Sequence, residues 1–511
     1  MTQHHIIFHR ENAPEQVRTL AVPTGTRLDA AASQSGFDLR THCGGAGTCG
    51  KCLVTVNRQK ILACQTVIKS DLDVFVPDTS LRTNEQNVVI QTAYESAESR
   101  LPSVGLKGFG IAVDIGTTTL AAELHDFSGT LPVQIASCAN PQRKFGDDVI
   151  ARIQKIMEEP SALIAMQQLI VGAINGMTAE LAEKSGIVPQ EISIMVVAGN
   201  TAMQSILFGI DPSSLGESPF HAPVSEFSAR RGSGIGLNLS AEGTVEALPI
   251  FGGFVGGDTV AGVLTLPALQ SSPVPRFFLD IGTNGEIVLA HRGKLFTAAT
   301  AAGPAFEGAK IEHGMLALPG AIDRVQAESG KMTVTTIGNK PAAGICGSGL
   351  IDAVAALLEQ GVIQPTGRFT GKQSHFELVP ASESGIGTAI VLTQRDIREL
   401  QLAAGAIRAG ITLLLQENEV PTESLETFYV AGGFGQSIQL ASARRIGLLP
   451  ALPAERFQFC GNNSLACARA VLLNPENGEV VRRIVQQSHH CELAMLPKFQ
   501  EVFAESMRLG R

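Results

Sequence analysis

Short alternating runs of apolar and polar residues open the chain. Residues 17–22 read as a strand, 27–35 as a helix and 52–56 as a returning strand, with more short strand material over 61–76. Between Thr79 and Gly105 the pattern loosens into polar runs, broken by one apolar piece at 88–90 and by Pro102, which predicts a linker. Beyond Gly108 the rhythm lengthens. Apolar strands run into glycine-rich turns within 110–124, 277–289 and 428–435. Ile397, Leu400, Ala404, Ile407, Ile411 and Leu414 recur at helical spacing and predict a core helix. The pattern predicts a small α+β domain over 1–80, a linker over 81–107, and two α/β lobes over 108–265 and 266–511.

Composition narrows the function classes. Of the 511 residues 44% are hydrophobic and 17% charged, which excludes a disordered chain. The net charge of −9 excludes the basic footprint of a nucleic-acid binder. No stretch of about 18 apolar residues lacks a charge or a turn signal, so no membrane-spanning helix is expected. Residues 1–10 lack an apolar signal core; the expectation is a soluble cytoplasmic protein.

The nine cysteines are unevenly spread, and an odd number without a secretion signal argues against a disulfide framework. Cys43, Cys49 and Cys52 are spaced x5 then x2, with Gly44, Gly45, Gly47 and Gly50 nearby, and Cys64 follows after eleven residues. Glycines let the backbone wrap a cofactor closely and turn its N–H groups inward. Four thiolates suit tetrahedral zinc or a 2Fe–2S cluster. Zinc ribbons usually pair two Cys-x2-Cys knuckles and one is present, so the spacing favours the cluster, with all four cysteines as ligands. The element order and the looped triad resemble the β-grasp fold of plant-type and adrenodoxin-like ferredoxins.

The remaining residues carry phosphate-binding chemistry. In the stretch from Gly110, Asp114 ends an apolar strand and can hold Mg²⁺ through water, while Gly116, Thr117, Thr118 and Thr119 can offer N–H and hydroxyl donors to phosphate. An Asp-Ile-Gly-Thr turn returns 166 residues later at Asp280, followed by Gly282, Thr283, Asn284, Gly285 and Glu286. A third strand enters a turn at Gly432, Gly433 and Gly435, suited to a base or ribose lying against backbone. No Gly-x4-Gly-Lys-Ser/Thr string occurs, which excludes a P-loop NTPase.

These three turns in order resemble the actin-like ATPase superfamily, a duplicated ribonuclease H-like fold. In that comparison residues 196–203 resemble the first connecting segment and 460–470 the second. A 2Fe–2S domain ahead of such an ATPase resembles the reductive activators of corrinoid proteins. The strings Asn140-Pro-Gln, Gly146 to Ile153, Gly199 to Met203, Ala302 to Ala309 and Gly344 to Asp352 are similar to that family. Two departures stand out: a linker shorter than in better-known members, and Ala404 where a Lys is expected.

The resemblance implies a two-lobed ATPase behind a β-grasp ferredoxin, using a 2Fe–2S cluster and ATP with Mg²⁺. The implied activity returns Co(II) to Co(I) in a corrinoid protein or cobalamin-dependent methyltransferase, with an upstream electron donor, neither nucleic acid nor membrane as partner, and a homodimer as a possible assembly. On this reading Asp114 and Asp280 position Mg²⁺ and Glu286 orients the attacking water. The alternatives are a redox-sensing small-molecule kinase and a non-hydrolysing electron-transfer protein. Several features carry blander expectations. Cys346 reads as close packing, Cys460 and Cys467 as an incomplete metal pair, and His489, His490 and Cys491 as a surface turn. Asp147 and Asp148 stand between helix capping and a role near the nucleotide.

Overall fold

The computed structural model describes residues 2–510 apart from 12, 42–44, 46, 48–49, 78–79, 82–106, 130–132, 271, 283, 329–330, 433–436 and 462. Its first unit contains β1 (Gln3–Arg10), β2 (Ala13–Pro23), α1 (Leu28–Gln34), β3 (Leu53–Val56), β4 (Gln59–Leu62) and β5 (Leu72–Val76). The sheet order is β2-β1-β5-β3-β4, with β1 and β5 parallel and the other neighbours antiparallel. Ile6 and Phe8 point to one face of β1, as the two-residue strand period requires, and meet Leu28, Ala31 and Ala32 of α1. The helix and the returning strand are each one residue shorter at their starts than the pattern predicts.

The next unit runs through β6 (Phe109–Ile115), β7 (Thr119–Asp126), β8 (Gln134–Ala139), α2 (Val149–Glu158), α3 (Ser161–Ser185), β9 (Ile192–Gly199), α4 (Thr201–Leu207), β10 (Arg230–Arg231) and β11 (Thr244–Ala247). Its sheet order is β10-β11-β9-β6-β7-β8. α3 has the length and mean hydropathy (25 residues, 1.4) of a membrane span, contrary to expectation. Its Met166, Ile170, Ile174 and Leu181 nonetheless pack into the core formed with Val113, Leu120 and Val197.

Two helices, α5 (Gly257–Thr265) and α6 (Pro267–Gln270), lead into the third unit. There β12 (Arg276–Ile281), β13 (Gly285–His291) and β14 (Lys294–Thr300) are followed by a small sheet of β15 (Ala321–Glu328), β16 (Lys331–Thr336) and β17 (Gly344–Ile345). Then come α7 (Gly347–Glu359), the hairpin β18 (His375–Val379) and β19 (Ile390–Thr393), α8 (Gln394–Glu417), β20 (Thr427–Ala431), α9 (Leu440–Ile446) and β21 (Phe457–Gly461). The chain ends with α10 (Asn463–Leu473), α11 (Glu476–Gln486), β22 (Ser488–His490) and α12 (Phe499–Ser506). The main sheet order is β21-β20-β12-β13-β14-β22. Its first hairpin and parallel neighbour repeat those of the preceding unit: β6 pairs with β7 and β9 as β12 pairs with β13 and β20.

The predicted apolar stripe is the buried face of α8, which begins with a reciprocal cap between Thr393 and Asp396. Ala404 lies 4% exposed in that stripe, so the position expected to carry an amine is core.

The connecting segment differs from expectation. Residues 196–203 are the end of β9 and the start of α4, and stay within the first lobe. The crossing element is α5, whose Val260 and Ala261 pack with Ala112 and Val196 while Val263 packs with Phe278 and Tyr429 of the second sheet. An apolar strand ending in an Asn cap resembles a connector locally; only the packing separates the two. On the other side, Leu465, Cys467 and Ala468 of α10 cover the first sheet. His489 and His490 form part of β22 rather than a surface turn, with His489 stacked on Phe296. Cys346 is packed as expected, with its thiol against the Ile322 carbonyl.

Candidate functional site

Two of the four predicted cluster ligands, Cys43 and Cys49, lie outside the described residues. The other two are brought together by the β3–β4 hairpin. Leu53 pairs with Leu62, so the Cys52 carbonyl accepts from the Ala63 N–H at 3.0 Å and Cys64 returns beside the loop. Cys52 and Cys64 are 1% and 2% exposed free thiols. Gln65 Nε2 donates to the Gly45 carbonyl at 2.6 Å and lies 3.9 Å from the Cys64 sulfur. The Arg27 guanidinium, held by Asp29, lies so close to Gly45 that a side-chain carbon there would come within 2.5 Å of it. Its charge is favoured first by the Asp29 hydrogen bond and further by Cys64 and Cys52. Buried thiols beside a cation, on a loop whose Gly45, Gly47 and Gly50 all have positive φ, fit a thiolate-held cluster.

The same loop touches the second lobe. Lys51, the neighbour of Cys52, donates from Nζ to the carbonyls of Ile311 at 2.6 Å and Glu312 at 3.0 Å. The Glu312 N–H in turn donates to Asp396, the capping residue of α8, at 2.8 Å.

At the first phosphate hairpin, Asp114 stands near the end of β6 and Gly116–Thr119 form the turn. Its first three carbonyls are engaged. The Asn140 side chain donates to Gly116 O and its backbone to Thr118 O, both at 2.8 Å; Arg152 Nη2 donates to Thr117 O at 2.5 Å. Arg152 is fully buried and also donates to Gly146 O and Gln142 Oε1, at 3.0 and 3.2 Å. Asn200 donates to the Thr117 hydroxyl at 3.1 Å while capping α4. A planar trans peptide sets N–H opposite C=O, so engaging these carbonyls turns the hairpin's donors the other way. Asp148 caps α2, accepting from Ala151 N at 2.7 Å. Across the cleft, the Thr118 hydroxyl donates to Glu307 Oε2 at 2.5 Å.

In the second lobe, Asp280 lies opposite Glu286 in the β12–β13 pair, and Ile281 opposite Gly285. Gly282 N–H closes the turn on the Asn284 carbonyl at 2.9 Å; Thr283 lies outside the described residues. Gly432 has φ +92°, and a side chain there would come 2.6 Å from Asp280 Oδ1. Gly433 and Gly435 are likewise outside the described residues.

Burial, then the charges of Asp258 and Asp114, pushes Asp280 up to about 8. Burial raises Asp258 to about 6, with the Thr259 bonds opposing, and burial followed by Asp258 and Asp280 raises Glu286 well above the usual range. Asp114, Asp258, Asp280 and Glu286 are thus electrostatic neighbours drawn from both lobes and from α5. Among the described residues no three metal-binding side chains converge into a closed cage.

An unfolded carboxyl titrates near about 4, so folded Asp280 keeps a proton that the unfolded chain loses between about pH 4 and 8. Stability therefore falls as pH rises through that window. Amide protection in β12 and β13 of the nucleotide-free protein is expected to drop from pH 5 to 8, and Asp280→Asn, which mimics the protonated acid, to flatten the drop. An unchanged slope in the variant contradicts this assignment.

Sequence reasoning missed Asp258, Arg152 and Glu307 as site residues. Arg152 and Glu307 stand inside strings already singled out, Gly146 to Ile153 and Ala302 to Ala309, which was the available signal. Asp258, just after Gly256-Gly257 at the start of an apolar helix, carried the pattern of a connector.

Comparison with known proteins matches residues 275–511 to the C-terminal domain of RACo, the ASKHA domain. Residues 109–270 match the RACo middle region and 12–69 a 2Fe-2S iron-sulfur cluster binding domain. The chain is 30% identical over 564 residues to the corrinoid activation enzyme RamQ of Eubacterium limosum, covering 93% of this chain and 95% of the relative. It is 31% identical over 273 residues to a [Co(II) methylated amine-specific corrinoid protein] reductase of Methanosarcina barkeri, covering 49% of this chain and 48% of the relative. A solved reductive activator for corrinoid,iron-sulfur protein superposes with a TM-score of 0.71 at 30% identity, covering 99% of this chain and 98% of its own.

Proposed function

The chain belongs to the RACo-type reductive activators of corrinoid proteins, and we propose on that premise that it couples ATP hydrolysis to one-electron reduction of a Co(II) corrinoid protein. It is a corrinoid-protein reductase with an iron–sulfur domain and an ASKHA domain. The observation that carries the coupling is the Lys51 contact. Ile311 and Glu312, which hold the cluster loop, follow Glu307 of the cleft by only four and five positions.

Cys43, Cys49, Cys52 and Cys64 hold the cluster in this proposal, and when bound a 2Fe–2S centre supplies one electron at a time. Arg27 offsets thiolate charge, and burial of Cys52 and Cys64 keeps water from the ligands. In the cleft, the donors of Gly116–Thr119 and of the turn at Gly282–Gly285 bind the phosphates of ATP from two sides. Asp114 and Asp280 orient Mg²⁺. These two carboxylates would hold such a cation, which when bound would offset charge on the phosphates. Gly432, Gly433 and Gly435 let the nucleoside lie against backbone. Each 59 mV of shortfall between donor and cobalt costs about tenfold in equilibrium constant. ATP supports such a step only if the chain's open and closed states bind it, or the partner, with different affinity.

The test mixes the reduced, reconstituted chain anaerobically with a panel of Co(II) corrinoid proteins, with and without Mg²⁺-ATP. The Co(I) absorption band is expected to grow with ATP present and to lag without it. No ATP-dependent Co(I) with any partner overturns the proposal.

A further inference from the structure

We infer that Glu307 is the carboxylate that orients the attacking water during ATP hydrolysis. The inference rests on the hydrolytic reading above and adds the residue that acts on the nucleophile. Glu307 ends a short 3-10 turn, Pro304–Glu307, in the second lobe, yet its Oε2 accepts from the hydroxyl of Thr118 in the first. That hydroxyl is one of the donors assigned to phosphate. At 2.5 Å from it, the carboxylate oxygen stands within one hydrogen bond of a phosphate-binding group while belonging to the opposite jaw. An arriving phosphate oxygen competes for the same donor. Displaced by it, the carboxylate borders the phosphate from the far side, where a water can bridge the two.

The surroundings hold it there. Gly303 and Gly308, with φ +77° and +75°, bracket the turn, and a side chain at Gly308 would come 2.4 Å from the Met315 carbonyl. Pro304, Ala305 and Phe306 are buried, leaving Glu307 as the half-buried end of the turn. Glu286, by contrast, is 6% exposed and lies opposite Asp280 inside the second lobe's own hairpin, with no bond across to the first lobe's phosphate turn among the described residues. In the step itself the water oxygen bonds to the γ-phosphorus as the bond from that phosphorus to the β,γ-bridging oxygen breaks. The electron pair of that bond leaves with ADP, and one water proton passes to Glu307 and on to the released phosphate or to solvent.

The experiment uses the full-length reconstituted chain and compares Glu307→Gln with wild type, measuring phosphate release and, by calorimetry, ATP binding. Expected are a fall in kcat of at least about a hundredfold, the contribution of a positioned acid–base group, and ATP affinity unchanged or tighter. Glu307→Asp, keeping the charge on a shorter arm, should recover part of the rate. Glu286→Gln should lose far less than Glu307→Gln. A Glu307→Gln chain that turns over within about threefold of wild type, or that loses affinity in parallel with rate, overturns the assignment. Wild type that binds ATP without hydrolysing it overturns instead the reading on which the assignment rests.

Discussion

Cys64→Ala is expected to leave anaerobic iron and sulfide reconstitution with less than about a tenth of the wild-type cluster, because a 2Fe–2S centre takes four thiolates and alanine offers none. Reduction of a Co(II) corrinoid protein should fall to background with it. The change is otherwise mild: Cys64 is a small buried side chain in the core of the first unit, next to Ala63 and Ile68, and behaves there as a small hydrophobe. ATP binding in the cleft should therefore persist. Visible absorbance, iron content and nucleotide affinity measured on one preparation separate the outcomes. A full cluster in the variant shows that Cys64 is not a ligand; loss of nucleotide affinity shows that the defect is a folding one.

The second large effect is expected at Arg152. Its guanidinium is fully buried and donates to the carbonyls of Thr117 and Gly146 and to Gln142. Arg152→Met keeps much of the volume but removes every donor, stranding the buried Gly146 and Gln142 acceptors, at roughly 1–3 kcal/mol for each that finds no new partner, and freeing the part-buried Thr117 carbonyl. The chain has several domains, so the cost should be local, and a single melting midpoint is the wrong readout. Amide exchange should accelerate in β6, β7 and the start of α2. ATP affinity should fall at least about tenfold as the Thr117 carbonyl is freed and the hairpin donors lose their alignment. Arg152→Lys should restore little, since one ammonium cannot reproduce a fork of fixed geometry. Wild-type affinity and exchange in Arg152→Met contradict the buttress.

Parts of the site were legible because their chemistry is local. The cysteine spacing and the glycines around it lie within one loop, and the Asp-Ile-Gly-Thr turns end apolar strands whose period is readable in a few residues. The helical stripe from Ile397 to Leu414 is likewise a one-element signal, and α8 buries it. The connector was misplaced for the complementary reason. Both the segment at 196–203 and α5 are short and apolar and contain glycine, and what distinguishes them is that α5 packs against two sheets. Asp258 was hidden by the same error, and Arg152 inside a string that reads as a capped amphipathic helix.

Strand and turn identity, the thiol spacing and the doubling of the phosphate turn follow from neighbouring residues, since backbone geometry acts over a few positions. Which carboxylate reaches which hydroxyl does not. Thr118 and Glu307 are 189 positions apart, and Lys51 meets Ile311 across 260. Contacts of that span exist only after two sheets have packed on shared helices, and the same packing, by removing water, raises the acids that face one another.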